Sequence, residues 1–316
     1  MFFSIIIPIY NAAQSLERCL DSVCLQSFDD YEVIMIDDGS RDNSRAICEG
    51  YTEKDARFKL VYQENSGPSA ARNTGLRMAE GRYLCFVDSD DYVSSDYLDQ
   101  LYKKIETSGA EVIFFGYHNV NQNGNITVTR IPSTNGNRID MLTDLSDRDM
   151  FGYTWIKCFA RKAVGNCKFS EEMFLFEDEV FTCSVLKNTY RIAVLPQALY
   201  YYVNGGSNML TGRIYENYCV LSDKVFSAWE DLLWEVPNRE AFLRKKADYF
   251  VGRCRYYGLE KEVNYSDFFE SLAKTHFFQL HSKWSMLDRF IRHRNWFAVK
   301  VSIILYRIKN RIHFIK

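Results

Sequence analysis

Asp88, Asp90 and Asp91 place three carboxylates within four residues, directly after the apolar run Tyr83–Val87. Carboxylates so close repel one another unless a cation intervenes. Mg2+ and Mn2+ typically bind through one or two carboxylates plus substrate phosphates. The cluster is therefore a candidate cation site, although a solvated turn with a helix cap has the same composition. A second acidic pair, Asp37 and Asp38, precedes Gly39 and Ser40. That is a turn signal, and its carboxylates can also accept from a nucleobase N–H or from ribose hydroxyls. The stretch from Asn65 to Asn73 runs from a loop into a helix, with Pro68 in the first turn and Arg72 behind it. Amides at such a helix start, with an arginine, suit a phosphate; Pro near a first turn is also ordinary helix grammar. Farther on, Asp178 lies between Phe174, Leu175 and Phe176 on one side and Val180 and Phe181 on the other. An apolar frame would raise the pKa of a carboxylate toward that of a useful general base. Acidic residues also favour the first turn of a helix.

These groups need elements that end where they stand. Phe3–Ile7, Glu32–Ile36, Lys59–Tyr62 and Tyr83–Val87 are short apolar runs that read as strands, with Val112–Tyr117 a further one. Helical patterns over Ala13–Leu25, Ser44–Tyr51, Ala70–Ala79 and Asp96–Thr107 separate them. Alternating strands and helices predict a mostly parallel sheet covered on both faces. In such sheets ligands bind outside the carboxyl ends of the strands, where Pro8, Tyr10, Asp38 and Asp88 fall. The stretch Asn119–Asn137, rich in Asn, Gly, Thr and Ser, reads as a hairpin or an excursion from the sheet.

Composition narrows the class. A chain of 316 residues holds one or two domains, and 47% hydrophobic with 25% charged residues is ordinary for a folded protein. A net charge of −2 argues against a nucleic-acid binder. The nine cysteines form no CxxC and no ligand spacing, which fits a reducing compartment. The first strand is not followed by Gly-x-Gly-x-x-Gly, which sets aside a Rossmann dehydrogenase. Nor is it followed by the glycine-rich basic loop expected of a sugar-nucleotide nucleotidyltransferase. A non-catalytic sugar- or nucleotide-binding module would have an incomplete carboxylate set.

Four stretches together resemble the donor-binding half of glycosyltransferase family 2, the inverting enzymes of the GT-A fold. They are Ser4 to Asn11, Val33 to Ser44, Gly67 to Leu76 and Phe86 to Asp91. The resemblance thins after about 100 residues and returns at Trp155, Ile156 and Lys157, at Glu177 to Phe181, and weakly at Leu199 to Tyr202. It implies a metal-dependent enzyme that moves a sugar from a nucleotide-sugar, UDP-linked in most members, to a hydroxyl of a glycan or lipid-linked acceptor. It implies that Pro8 and Tyr10 line the base pocket, that Asp38 contacts the base, and that Arg72 and Asp88 serve the nucleotide-sugar. Asp90 is then the ligand of Mn2+ or Mg2+, and Asp178 the general base. Two positions depart from the family: Phe176 stands where glycine is frequent, and Ile156 where asparagine is.

The expected organisation is a catalytic domain over 1–215, with a donor half to about 117 and an acceptor half from 118, then a helical region over 216–316. The segment Arg289–Lys316 carries eight basic and no acidic residues, which leaves the rest of the chain at −10. Phe297, Val301, Ile304, Ile308, Ile312 and Ile315 would form one apolar stripe there. Such a tail suits an anionic membrane surface or a protein neighbour. With no apolar stretch of spanning length and no signal-peptide pattern, the expected location is cytoplasmic, peripheral to the inner face of the cell membrane.

Overall fold

The computed structural model describes residues 1–121, 123–132, 138–148, 150–204, 215, 217–234, 236–237, 239–260, 264–281, 285–295, 298–299 and 302. The chain divides into two compact units, Met1–Met209 and Leu210–Lys316.

In chain order the first unit opens β1 (Phe3–Ile9), α1 (Leu16–Cys24), β2 (Tyr31–Asp37), α2 (Ser44–Lys54), β3 (Phe58–Tyr62), α3 (Pro68–Met78) and β4 (Tyr83–Phe86). It continues β5 (Tyr92–Val93), α4 (Tyr97–Ser108), β6 (Val112–Val120), β7 (Ile126–Arg130), α5 (Arg138–Asp147), a 3-10 turn (Thr154–Ile156), β8 (Lys157–Ala160), α6 (Arg161–Val164), α7 (Glu177–Lys187) and β9 (Ile192–Val203). The described strands form one sheet in the order β3-β2-β1-β4-β8-β6-β9-β5, with β7 paired to β6.

The arm β3-β2-β1-β4 is parallel. Its central strands are buried along almost their whole length, as parallel strands covered on both faces must be. Helix α1 buries Leu16, Cys19, Leu20 and Val23, spaced three and four apart, so one stripe meets the sheet. Strand β8 then runs antiparallel between β4 and β6, while β6 and β9 are parallel. Neither β8 nor β9 stands out in the sequence. The first is four residues long and opens on a lysine. The second carries Pro196, where the pairing with β6 shifts register, the usual way a strand accommodates proline. The Asn/Gly-rich stretch after β6 is a hairpin, closed by the Asn121 N–H donating to the Asn125 carbonyl at 3.0 Å.

The second unit is helical: α8 (Tyr218–Leu232), α9 (Arg239–Glu260), α10 (Tyr265–Lys274), α11 (His276–Leu280) and α12 (Met286–Arg292). Phe226 sits against Phe250 and Phe277 in its core, and the Lys246 ammonium lies 4.4 Å from the centre of the Trp229 ring. Buried Asp288 caps α12 through Ser285 and takes Arg255 Nη1 at 2.6 Å. No helix among the described residues is long and apolar enough to cross a membrane. The apolar stripe expected from Phe297 to Ile315 lies outside the described residues, as do Lys300, Arg307, Lys309, Arg311 and Lys316.

Gly81, between α3 and β4, lets the two chain segments at the amino end of the sheet touch. Its N–H donates to Ser4 Oγ at 2.8 Å, and a β-carbon there would stand 2.6 Å from backbone atoms of Phe3 and Ser4. Backbone cannot move aside as a side chain can. Gly81→Ala is therefore expected to destabilise the protein by about 1–3 kcal/mol. At Gly50, inside α2, an added methyl meets nothing within 4 Å, and Gly50→Ala should gain about 0.5–1 kcal/mol. Thermal unfolding of both variants checks this; equal midpoints would contradict the packing argument.

Candidate active site

The loops that leave β1 and β2 are pinned to one another. Asn11 adopts a left-handed backbone at φ 50°. Its N–H donates to Ser40 Oγ at 3.0 Å and its Oδ1 accepts from the Arg41 N–H at 2.8 Å. Asp38 is 3% exposed. Its Oδ1 accepts from Gln63 Nε2 at 2.7 Å and the Ser66 N–H at 2.8 Å, and its Oδ2 from the Gly67 N–H at 2.8 Å. The carboxylate thus fastens the loop before α3 to the end of β2. Pro8 is half-buried within β1, and Tyr10, just beyond it, is 43% exposed. The Asp38 N–H donates to the Ile9 carbonyl at 2.8 Å, which puts these residues at the same strand ends.

Helix α3 delivers Arg72, 6% exposed, into the middle of the carboxylates. Its Nη2 lies 3.2 Å from Asp88 Oδ1, and its Nη1 lies 3.1 Å from Glu177 Oε1 and 3.3 Å from Asp178 Oδ1. The sequence suggests a positive charge for phosphate at this position; in the structure that charge is shared among three carboxylates. Asn73, the next residue, holds the loop before α7 through paired bonds with Phe169, at 2.9 and 2.8 Å.

Asp88, Asp90 and Asp91 follow β4 and take different environments. Asp90 is exposed, and its carbonyl accepts from Arg18 Nη2 at 2.6 Å. Asp91 is buried; its Oδ1 accepts from the Val203 N–H and its Oδ2 from the Tyr200 hydroxyl, both at 2.8 Å. The same hydroxyl accepts the Asp88 N–H at 3.0 Å. Tyr200 therefore holds the acidic turn from β9, a role that no local sequence signal marks beyond the Tyr200–Tyr202 run. Trp155 stacks on Tyr200 and Tyr202, with centroids 4.6 and 5.3 Å away.

Asp178 sits in the first turn of α7. Phe176, immediately before the helix, has φ 67°, a conformation that costs a β-carbon-bearing residue about 1–2 kcal/mol. This gives a physical reason why glycine suits that position. The apolar frame expected around Asp178 is not what its carboxylate meets: Phe174 is 59% exposed. Its partners are polar, with Thr154 donating to Oδ2 from its hydroxyl at 3.0 Å and its N–H at 3.3 Å, and Arg72 facing Oδ1. Lys157 is fully buried below, its ammonium bonded to the Tyr153 carbonyl. Burial pushes that ammonium down to about 7, against the pull of Asp178 and Glu179.

The charge balance of the site is negative. Desolvation raises the Asp88 carboxyl to about 6 although Arg72 opposes it, with Asp90 and Asp178 adding to the rise. Glu177 is raised to about 7 by burial and by Asp178, again against Arg72. Among the described residues no group of three or more His, Cys, Asp or Glu is arranged to hold a metal. Asp88 and Asp90 supply hard oxygen donors, the type and number that Mg2+ or Mn2+ uses when phosphates complete the shell. The under-compensated charge on Asp88 fits a cation there.

Comparison with known proteins shows the family and the fold. Residues 4–165 match the family model described as glycosyl transferase family 2. The chain is 33% identical over 208 residues to an uncharacterised glycosyltransferase, EpsJ, of Bacillus subtilis (strain 168), a match covering 63% of this chain and 60% of that protein. It is 30% identical over 207 residues to the poly(ribitol-phosphate) β-N-acetylglucosaminyltransferase TarS of Staphylococcus aureus (strain MW2), covering 64% of this chain and 35% of TarS. The shared region is thus under two thirds of either relative. A crystal structure of residues 1–349 of S. aureus TarS with UDP-GlcNAc superposes with a TM-score of 0.81 at 22% identity, covering 98% of this chain and 92% of that one. That likeness establishes the GT-A fold.

Removing the shared cation tests the electrostatics. Arg72→Met should leave Asp88, Glu177 and Asp178 mutually repelling, at a cost of about 3 kcal/mol near pH 8. Acids whose folded-state pKa is raised bind protons more tightly when folded, so stability falls as pH rises through the raised values. The variant raises them further. Its deficit against the parent should therefore shrink as pH falls from 8 to 5, read by urea unfolding at each pH. A deficit independent of pH would contradict this account.

Proposed function

Because the chain belongs to glycosyltransferase family 2, we propose that it transfers a sugar, with inversion, from a UDP-linked donor to a hydroxyl of a glycan or lipid-linked acceptor. One observation carries the reading. A single guanidinium spans the carboxylate that follows β4 and the carboxylate at the start of α7, with Arg72 3.2 Å from Asp88 and 3.3 Å from Asp178. A group that holds the donor's diphosphate end and a group that can deprotonate an acceptor thereby share one crevice. A non-catalytic binding module would need only the first.

In this reading Pro8 and Tyr10 flank the nucleobase at the end of β1. Asp38 orders the Ser66–Gly67 backbone beside it and presents its own edge to the base. Asp88 and Asp90 would hold Mg2+ or Mn2+, which when bound offsets the charge that builds on the departing diphosphate. Asp178 takes the proton from the acceptor hydroxyl as the oxygen bonds to the sugar's anomeric carbon. The electron pair of the broken carbon–oxygen bond leaves with the nucleoside diphosphate. Thr154 donates to Oδ2 of Asp178 and Arg72 faces Oδ1, which together orient the carboxylate. Attack from the face opposite the leaving group inverts the anomeric centre in a single displacement. The basic segment Arg289–Lys316 supports work at the inner face of an anionic membrane, where lipid-linked acceptors reside.

Two variants test the assignment. Asp178→Asn should keep donor affinity near that of the parent and cut turnover about 100-fold or more, since a base acts chiefly in the transition state. Turnover within twofold of the parent would move the role to Glu177 or Glu179. Asp90→Ala should abolish the Mn2+- or Mg2+-dependent part of UDP binding in calorimetry and, with it, sugar transfer. Full transfer in a chelator would remove the cation from the scheme.

A further inference from the structure

Asp178 accepts two hydrogen bonds on one oxygen, and both come from a single residue outside its own helix. Thr154 gives Oδ2 its hydroxyl at 3.0 Å and its backbone N–H at 3.3 Å. Thr154 is fully buried and opens the 3-10 turn before β8. The first N–H groups of such a turn have no partner within it, so the carboxylate completes the turn as the turn orients the carboxylate. The turn is itself held on both sides. The Trp155 ring stacks on Tyr200 and Tyr202, and the Lys157 ammonium bonds the Tyr153 carbonyl, the residue before Thr154. Ile156 is buried and offers no polar atom. Both Thr154 donors are directed at Asp178 Oδ2.

We infer that Thr154 is a positioning residue for the proposed base: its two donors on Oδ2 fix the orientation of the Asp178 carboxylate against the pull of Arg72 on Oδ1. This rests on the transferase reading. Without the hydroxyl, the carboxylate keeps only the longer N–H bond and the pull of Arg72. Its plane is then no longer fixed, and fewer of its orientations suit proton transfer. Donor contacts at Asp38, Pro8 and Tyr10 lie on other elements and are untouched.

The experiment compares Thr154→Val, which removes the hydroxyl at nearly constant volume, with Thr154→Ser, which keeps it. UDP release from UDP-N-acetylglucosamine with Mn2+, water serving as acceptor, is followed for the full chain, alongside Asp178→Asn. Thr154→Val is expected to lower kcat about tenfold with the donor KM unchanged, the size expected for one lost hydrogen bond to a charged group. Thr154→Ser should return kcat to within about twofold of the parent. A valine variant with parental kcat, a rise in KM in place of the fall in kcat, or a serine variant as slow as valine would overturn the inference. Parental kcat in Thr154→Val beside a silent Asp178→Asn overturns the Thr154 role alone. Parental kcat in Asp178→Asn overturns the base assignment, and the Thr154 role with it.

Discussion

A buried guanidinium must be balanced, and here the balance organises three elements. Arg72 comes from α3, Asp88 from the end of β4, and Glu177 and Asp178 from α7. A positive charge removed from water is costly unless paired and bonded, so none of the three elements can drift without exposing the others to that cost. The arrangement overshoots, because three acids answer one base. Burial, with the neighbouring acids adding to it and Arg72 opposing, raises Asp88 and Glu177 above ordinary carboxylate values.

The amino end of the sheet shows the contrasting solution. Glu32 is fully buried there, with Lys59 at 2.8 Å and the Ser4 hydroxyl at 2.6 Å. Burial would raise its carboxyl, but these bonds prevail and hold it below its ordinary value. One end of the parallel arm has its charge closed by local partners; at the other, three acids share one buried arginine. The difference follows from strand direction, since the polar loops that can open a crevice lie at the carboxyl ends.

Much of this was legible before the structure. Short apolar runs ended by Pro8, Asp37 and Asp88 give the parallel arm, because a strand buried on both faces has few other compositions. Asp38, Arg72, Asp88, Asp90 and Asp178 were each visible as groups with chemistry. Their mutual contacts were not. Arg72 and Glu177 are 105 residues apart in the chain, and nothing local says that they pair. Asp38 reads as an open acceptor, and the fold also bonds it to Gln63, Ser66 and Gly67. Thr154 has no sequence signature and Tyr200 only the weak one of the Tyr200–Tyr202 run, since a hydroxyl acquires its role only from what it faces. Strand β8 was hidden by its brevity, and the apolar stripe expected near the carboxyl terminus lies beyond the described residues.

The placing of β8 sets an order on assembly. A chain made from its amino end can pair β1, β2, β3 and β4 as soon as they emerge, but β4 then presents an unpaired edge. Only Lys157–Ala160 covers it, and that segment must settle between β4 and β6. Until it does, the row of open N–H and C=O groups along β4 is a template for any extended chain nearby. The protein should therefore pass through its period of greatest aggregation risk with the parallel arm already made, and substitutions that slow the docking of β8 should reduce soluble yield more than they reduce final stability.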